Sequence, residues 1–297
     1  MPLQDDPGRT VENSVPFQLE GSSAPRRFAE NGVARVQDLS LGREMGEVAF
    51  GLDAEGYHAA RLPYPDELYD ELFGRFPSRP MVLEIGAGTG LVTQALLARG
   101  AAAVTAIEPD PALAAFTARR LNDPRLTVVQ AAFPNATVDG PFDLVVCAAA
   151  FHWMEPDSAL ARVKQLLVPG GLWAMWWHSY RNPGMGDELA DQISPLLEGI
   201  ALPPSDSLKR HYSLDEQLHR RFLGDAGFHS IEYRLYRSER ELTTDAVVAL
   251  YKSYSFVRLL DSDRKARLLE AIATLVERRF GGSAPNLVLT PLYFAAT

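Results

Sequence analysis

Short apolar runs and amphipathic stretches alternate along the middle of the chain. The apolar runs are Met81–Ile85, 103–107, Leu126–Gln130, 141–148 and 172–177. Near-continuous apolar runs of this length are typical of strands that are buried on both faces of a parallel sheet. Between these runs, apolar residues recur at helical spacing. The alternation predicts an α/β fold, namely a Rossmann-like, doubly wound and mostly parallel sheet with helices on both faces.

The same pattern divides the chain into segments. Residues 1–45 are rich in proline, serine, glycine and charge, and they show little periodicity. This composition indicates a flexible N-terminal arm or lid. Residues 46–297 are expected to form one domain. Two helical patterns at about 182–227 interrupt the alternation and predict an insertion on the substrate side, and 287–294 is expected to be the last strand.

A glycine-rich loop follows the first buried strand. Gly86, Gly88 and Gly90 stand at alternate positions, and a helical pattern begins at Leu91. Glycine permits positive φ and has no Cβ, so backbone N–H groups can come close to a ligand. The loop also lies beside a helix N-terminus, which favours electron-rich groups. It therefore predicts a nucleotide-like ligand, although a tight strand–helix turn without a ligand would use the same glycines.

An acidic residue ends the second buried strand. Glu108 lies 22 positions after Gly86, and its two carboxylate oxygens could accept hydrogen bonds from both hydroxyls of a ribose. Dehydrogenases share this spacing, so Glu108 supports a nucleoside ligand without choosing between families. The dinucleotide fingerprint has its third glycine where this chain has Leu91. That difference argues against a nicotinamide-dependent oxidoreductase.

Residues 84–90 resemble the first motif of the class I S-adenosylmethionine-dependent methyltransferases, E/D-x-G-x-G-x-G. Residues 142–145 match the family's F-D-x-V pattern, and 167–171 match its L-x-P-G-G pattern. Residues 57–65 resemble its N-terminal Y-x3-R-P-x-Y-P segment, with the first proline one residue late. Within the family, the chain is similar to small-molecule enzymes of the trans-aconitate and cantharidin methyltransferase group.

The resemblance implies S-adenosylmethionine as the cofactor and S-adenosylhomocysteine as the product. It also implies a seven-stranded sheet whose C-terminal strand is antiparallel and lies between the fifth and sixth strands. The cofactor would lie at the carboxyl ends of the parallel strands. The residues expected to contact it are Tyr57, Arg61, Glu84, Gly86, Ala87, Gly88, Thr89, Gly90, Glu108, Pro109, Ala132, Phe133, Ala148 and Phe151.

Two histidines at this edge are candidate catalytic residues. His152 follows a buried strand, in an H-W pair that related carboxylate O-methyltransferases often carry there, and its pKa range suits a general base. Its alternatives are a contact that orients the substrate and a structural role in packing against the next tryptophan. His178 is the second candidate. Aromatic residues suit an apolar or aromatic acceptor, and those expected to line its pocket are Trp153, Trp177, Tyr180 and Tyr254.

Composition and the absence of certain motifs limit the classes of molecule that the chain is expected to bind. The net charge is −9, whereas nucleic-acid-binding proteins need a basic surface. The chain has neither the N/D-P-P-Y/F signature of amino-group methylation nor a Pro-Cys nucleophile. No apolar run approaches the ~18 residues of a membrane span, and we see no signal peptide. The single Cys147 fits a reducing compartment. We therefore expect a cytoplasmic monomer or homodimer that binds no metal, nucleic acid or membrane.

These observations predict a methyltransferase that acts on a small-molecule acceptor, in secondary metabolism or detoxification. O-methylation is favoured, and N- or C-methylation stays open. One alternative is a protein that binds S-adenosylmethionine without methylating, such as a regulator, a partner subunit or a cyclase. The other is a nicotinamide-dependent oxidoreductase.

Overall fold

The computed structural model describes residues 10–12, 54–133, 135–200 and 211–297. Strands and helices alternate along most of this range. In chain order the elements are β1 (Thr10–Glu12), α1 (Ala54–Ala60), α2 (Asp66–Phe73), β2 (Met81–Ile85), α3 (Leu91–Ala98), β3 (Ala103–Glu108), α4 (Pro111–Leu121), β4 (Leu126–Gln130), β5 (Phe142–Ala148), α5 (Pro156–Leu166), β6 (Leu167–Trp176), α6 (Glu188–Ile193), α7 (Glu216–Asp225), β7 (His229–Thr243), α8 (Thr244–Ser253), α9 (Ser255–Arg258), α10 (Ser262–Phe280) and β8 (Ser283–Ala296).

The strands form one sheet in the order β1-β7-β8-β6-β5-β2-β3-β4. The strands from β6 to β4 pair in parallel, and β8 runs antiparallel between β6 and β7. The predicted doubly wound sheet and its antiparallel C-terminal strand are therefore confirmed. β1 adds an eighth strand, antiparallel to β7. The rest of the N-terminal arm predicted at 1–45 lies outside the described residues.

The inner parallel strands β2, β3, β5 and β6 are largely buried, which explains their near-continuous apolar sequences. The expectation of burial is wrong for β4, which is partly exposed because it forms the edge of the sheet. Successive side chains along β6 point to opposite faces of the sheet. Trp173 and Trp177 pack with Phe151 on one face, and Trp176 packs with Leu68 on the other. These side chains are all almost fully buried. Trp177 stands just beyond the end of β6, at the carboxyl edge of the sheet.

The carboxyl edge is enclosed by elements that extend past the parallel strands. The β7–β8 ladder continues to the pair Thr243–Ser283, far beyond Trp176, which pairs with Leu292. The helix α1 packs against α8 and α4, so it crosses above this edge. Of the predicted insertion at 182–227, α6 lies against β8, and α7 lies against α5 and β7. Within the described ranges, no helix is both long enough and apolar enough to cross a lipid bilayer.

Candidate cofactor and acceptor site

The glycine loop between β2 and α3 has a left-handed backbone. Gly86, Gly88 and Gly90 have φ values of 74°, 57° and 76°, which cost residues other than glycine about 1–2 kcal/mol each. The N–H groups of Gly86 and Ala87 donate to the Ile107 carbonyl, at 2.9 and 3.0 Å. The loop is thereby tied to the neighbouring strand β3.

The loop is tightly packed at its beginning and open at its centre. A Cβ built on Gly86 would lie 2.4 Å from the Cβ of Ala150, and one built on Gly90 would lie 2.7 Å from Thr117 Cγ2. A Cβ on Gly88 would meet no described atom within 4 Å. Gly88 is therefore the position at which the backbone faces open space, and a ligand could approach it closely there.

Glu108 at the end of β3 holds the centre of the loop. Its side chain is 5% exposed. Oε2 accepts a hydrogen bond from the Gly88 N–H at 2.7 Å, and Oε1 accepts one from the Asp110 N–H at 3.0 Å. A carboxylate offers about four acceptor positions. Glu108 can therefore support the loop and still accept hydrogen bonds from a ligand.

Glu84 is buried beneath the loop. Its Oε2 accepts a hydrogen bond from the Thr93 hydroxyl in α3, at 2.6 Å. Desolvation raises the pKa of Glu84 to about 8, so the group holds its proton at neutral pH in the protein alone. Sequence reasoning did not identify Thr93. The available signal was a hydroxyl in the first turn of a helix that starts at the loop.

Two basic residues that the sequence analysis missed fasten the outer side of the loop. His58 in α1 places Nδ1 3.0 Å from Thr89 Oγ1. Arg120 in α4 donates from Nη2 to the carbonyls of Thr89 and Gly90, at 3.2 and 3.0 Å. Arg120 is 30 positions away from Gly90, so no local pattern could have connected them.

Arg61, just after α1, lies among three tyrosine rings. Its guanidinium carbon is 4.9 Å from the ring centre of Tyr57, 5.5 Å from Tyr180 and 5.7 Å from Tyr254. Nη2 donates to the Ser253 carbonyl at 3.4 Å, and the buried Nε has no acceptor among the described residues. The ion pairs among those residues do not include Arg61. Since burying a charge without a counter-charge is costly, an anionic ligand would stabilise this arrangement.

His152 lies in a 3-10 turn, Phe151–Trp153, that follows β5. Its Nδ1 accepts a hydrogen bond from the Trp177 Nε1–H at 3.2 Å. Its ring centre is 4.8 Å from that of Trp153. Desolvation, and to a smaller extent the charge of His211, lowers the pKa of His152 well below 6.5. The ring is therefore neutral at physiological pH.

His178 is held by the protein at both ring nitrogens. Nδ1 is 2.7 Å from Thr290 Oγ1, and Nε2 is 3.2 Å from the Pro63 carbonyl. Because a carbonyl can only accept, Nε2 carries the proton and Nδ1 accepts from the threonine hydroxyl. The ring stacks on Tyr64 at 4.1 Å, and desolvation lowers its pKa to about 3. This arrangement argues against the catalytic role expected for His178.

The structure brings most of the predicted site residues to the carboxyl edge. Glu84 and Trp177, each 1% exposed, are buried in place of lining an open site, and two aromatic cofactor candidates also pack inward. Phe133 is 9% exposed and Phe151 is 1% exposed, and both belong to the core on the β6 face that carries Trp177. Phe133 therefore does not present an open ring for stacking, whereas the neighbouring Ala132 is exposed. Tyr180 accepts a hydrogen bond from the Leu62 N–H at 3.3 Å through its hydroxyl.

Comparisons with known proteins identify relatives of this chain. A model of the methyltransferase domain matches residues 82–171. An uncharacterized methyltransferase from Mycobacterium bovis is 30% identical over 58% of this chain and 72% of its own length. A malonyl-[acyl-carrier protein] O-methyltransferase from Geobacter sulfurreducens is 30% identical over 61% of this chain and 67% of its own.

A solved structure shares the fold. It is a protein from Anaeromyxobacter dehalogenans that is provisionally described as a type II methyltransferase, and it is 22% identical to this chain. The match covers 80% of this chain and 97% of that protein, with a TM-score of 0.59. These relatives show the family, and the glycine loop, the acid that supports it and the order of the strands are consistent with it. The chain belongs to the class I S-adenosylmethionine-dependent methyltransferases.

Proposed function

We propose that this methyltransferase forms methyl esters on small carboxylic acids, with S-adenosylmethionine as its methyl donor. The observation that carries the proposal is the state of its two candidate bases. Burial lowers the pKa of both histidines and so makes them weak bases. His178 has protein partners at both nitrogens, and the Nδ1 lone pair of His152 accepts from Trp177. An acceptor that needs no deprotonation fits this site best.

The described residues fit the cofactor. Gly88 leaves room for close approach of a ligand to the loop, and Glu108, which accepts from the Gly88 N–H, would also accept hydrogen bonds from a ribose. The Arg61 guanidinium, which has no carboxylate partner among the described residues, would pair with the carboxylate of the methionine moiety. When bound, S-adenosylmethionine supplies a methyl group activated by a positive sulfur. The protein then contributes alignment and exclusion of water.

Acceptor chemistry follows from proton balance. Carboxylic acids have pKa values near 4 and are ionised at neutral pH, whereas phenols, with pKa values near 10, retain their proton. With a carboxylate, the O–C bond forms as the C–S bond breaks, and the electron pair of the C–S bond stays on sulfur. No proton leaves, so no general base is needed. The O-methyltransferase among the relatives supports oxygen as the acceptor atom.

The aromatic side chains at the carboxyl edge of the sheet suit a carboxylic acid whose remaining atoms are apolar. Trp153 is partly exposed beside His152. Tyr254 stacks on Phe256 with ring centres 5.3 Å apart, on the side of the site that carries Arg61. Aromatic walls with a few polar groups are typical of small-molecule pockets. We therefore infer aromatic or branched aliphatic carboxylic acids as the first acceptors to examine.

The test is a screen of matched acceptors with the purified full chain. Benzoic, cinnamic and branched aliphatic acids would be compared with the corresponding phenols, alcohols and amines, each with S-adenosylmethionine. We expect S-adenosylhomocysteine and a base-labile methyl ester from members of the acid series. Turnover confined to phenols or amines, with products that resist mild base, would overturn the carboxylate proposal.

A further inference from the structure

The indole of Trp177 determines which nitrogen of His152 carries the proton. An indole N–H is only a donor, so Nδ1 of His152, 3.2 Å away, must accept. A neutral imidazole has one N–H and one acceptor nitrogen. With Nδ1 accepting, the proton of His152 is on Nε2. Among the described residues, no hydrogen-bond partner of Nε2 occurs, and His152 is partly exposed at the site.

Trp177 is held rigidly enough to impose this choice. It is 1% exposed. Its ring stacks on His219 with centres 5.1 Å apart and meets Tyr212 and Tyr293 edge-on, at 5.9 and 6.4 Å. His219 is itself enclosed by the rings of Tyr212 and Tyr293, each at 4.6 Å. The indole therefore cannot turn away from His152 without disturbing a packed aromatic cluster.

We propose that Trp177 is a positioning residue that holds His152 in the Nε2–H form, so that His152 donates a hydrogen bond to the acceptor carboxylate and removes no proton. This inference rests on the proposed function. The hydrogen bond would go either to the carboxylate oxygen that does not attack or to the second lone pair of the oxygen that does. In both cases it would orient the carboxylate so that the attacking lone pair points at the methyl group. Donation from a preorganised neutral group is a recurrent way to orient an anion.

The first measurement determines the protonation of the His152 ring and requires no catalytic turnover. Nitrogen-15 shifts of the His152 ring in the full chain should show a protonated Nε2 and an acceptor Nδ1 from pH 6 to 8. Trp177→Phe should abolish that preference or raise the pKa of His152. Trp173→Phe is the matched control, because Trp173 is fully buried on the same face and its Nε1 has no partner among the described residues. A His152 ring with its proton on Nδ1 would overturn the proposal.

The pH readout must be assigned among neighbouring titratable groups. His152 packs against its own turn, against Trp177 after β6, and against the segment before α7. The groups in or coupled to this cluster are His211, Tyr212, His219, Asp215 and Cys147. Site-specific nitrogen shifts separate His152 from His211 and His219, which a bulk titration would not do.

Kinetics with two amide variants separates donation from base catalysis. A glutamine amide can place an N–H near the position of His152 Nε2, whereas asparagine reaches only the position of Nδ1. With a carboxylic acid acceptor, His152→Gln should keep kcat within a few-fold of wild type. His152→Asn should lose about 10- to 100-fold, as expected for a hydrogen bond to a charged group. Equal losses in both variants would contradict donation and favour a base.

The two proposals fail in different ways. If no carboxylic acid is methylated but the ring shifts show the Nε2–H form, the acceptor class is wrong and the Trp177–His152 pair stands. If acids are methylated but Trp177→Phe leaves the tautomer, the pH profile and kcat/KM unchanged, the positioning role of Trp177 is wrong. Binding of S-adenosylhomocysteine, which should be the same in all these variants, confirms that each variant is folded.

Discussion

Alanine at Gly86 would place a methyl group on top of the segment that leads to His152. The backbone there has φ of 74°, and the new Cβ would lie 2.4 Å from the Cβ of Ala150. The left-handed conformation costs an alanine about 1–2 kcal/mol, and overpacking costs about 1–3 kcal/mol more. Gly86→Ala should therefore lower the free energy of unfolding by roughly 2–5 kcal/mol, a large part of a typical domain's stability.

Gly88→Ala is the matched control. Its φ is 57°, and the new methyl group would have no neighbour within 4 Å. Only the backbone contribution of about 1–2 kcal/mol should remain. The methyl group would, however, occupy the open side of the loop. We expect Gly88→Ala to be more stable than Gly86→Ala in urea titrations and to bind S-adenosylhomocysteine much more weakly than wild type by calorimetry.

A second-site change isolates the steric contribution. Ala150→Gly removes the atom that Gly86→Ala would strike, and the next nearest atom, Ala150 Cα, is 4.0 Å away. In a double-mutant cycle the two changes should therefore show a favourable coupling of about 1–3 kcal/mol. If Gly86→Ala and Gly88→Ala destabilise the chain equally, or if the coupling is zero, close packing of Gly86 against Ala150 does not contribute to the free energy of unfolding.

Three further predictions concern buried ionisable side chains. Glu108→Gln should raise the Kd of S-adenosylhomocysteine by roughly 10- to 100-fold, as expected for hydrogen bonds to a charged group, and an unchanged Kd in calorimetry would reject the ribose assignment. Arg61→Met should weaken S-adenosylhomocysteine by a similar factor but leave methylthioadenosine, which has no carboxylate, unaffected; equal losses for both ligands would exclude a pair with the cofactor carboxylate. Burial raises the pKa of Glu84 from 4.5 to about 8. Between these two pH values the folded chain keeps a proton that the unfolded chain releases. The free energy of unfolding therefore falls as pH rises through this range, by on the order of 1 kcal/mol per pH unit. Glu84→Gln removes this slope, so its stability relative to wild type should increase from pH 5 to pH 8 in urea titrations, and a constant difference would refute the buried acid.

The amino-acid sequence by itself determined the sheet and the glycine loop. A strand that is buried on both faces must be apolar at nearly every position, so Met81–Ile85 and its neighbours could be identified locally. The positive φ of Gly86, Gly88 and Gly90 is a requirement that glycine meets at little cost. The position of Glu108 could also be predicted from the sequence, because the carboxyl end of a predicted parallel strand lies at a known edge of the sheet.

Only the tertiary structure decided what the side chains at that edge do. Arg61 and Tyr180 are far apart in the chain, yet their side chains meet above the sheet. Trp177 and His152 are 25 positions apart, and His178, one residue after Trp177, points instead to Pro63 and Thr290. Periodicity assigns a residue to an element and a face, but the partner of a ring nitrogen depends on rotamers and on how distant segments pack. The roles of the two histidines therefore depend on long-range packing, which local sequence patterns do not encode.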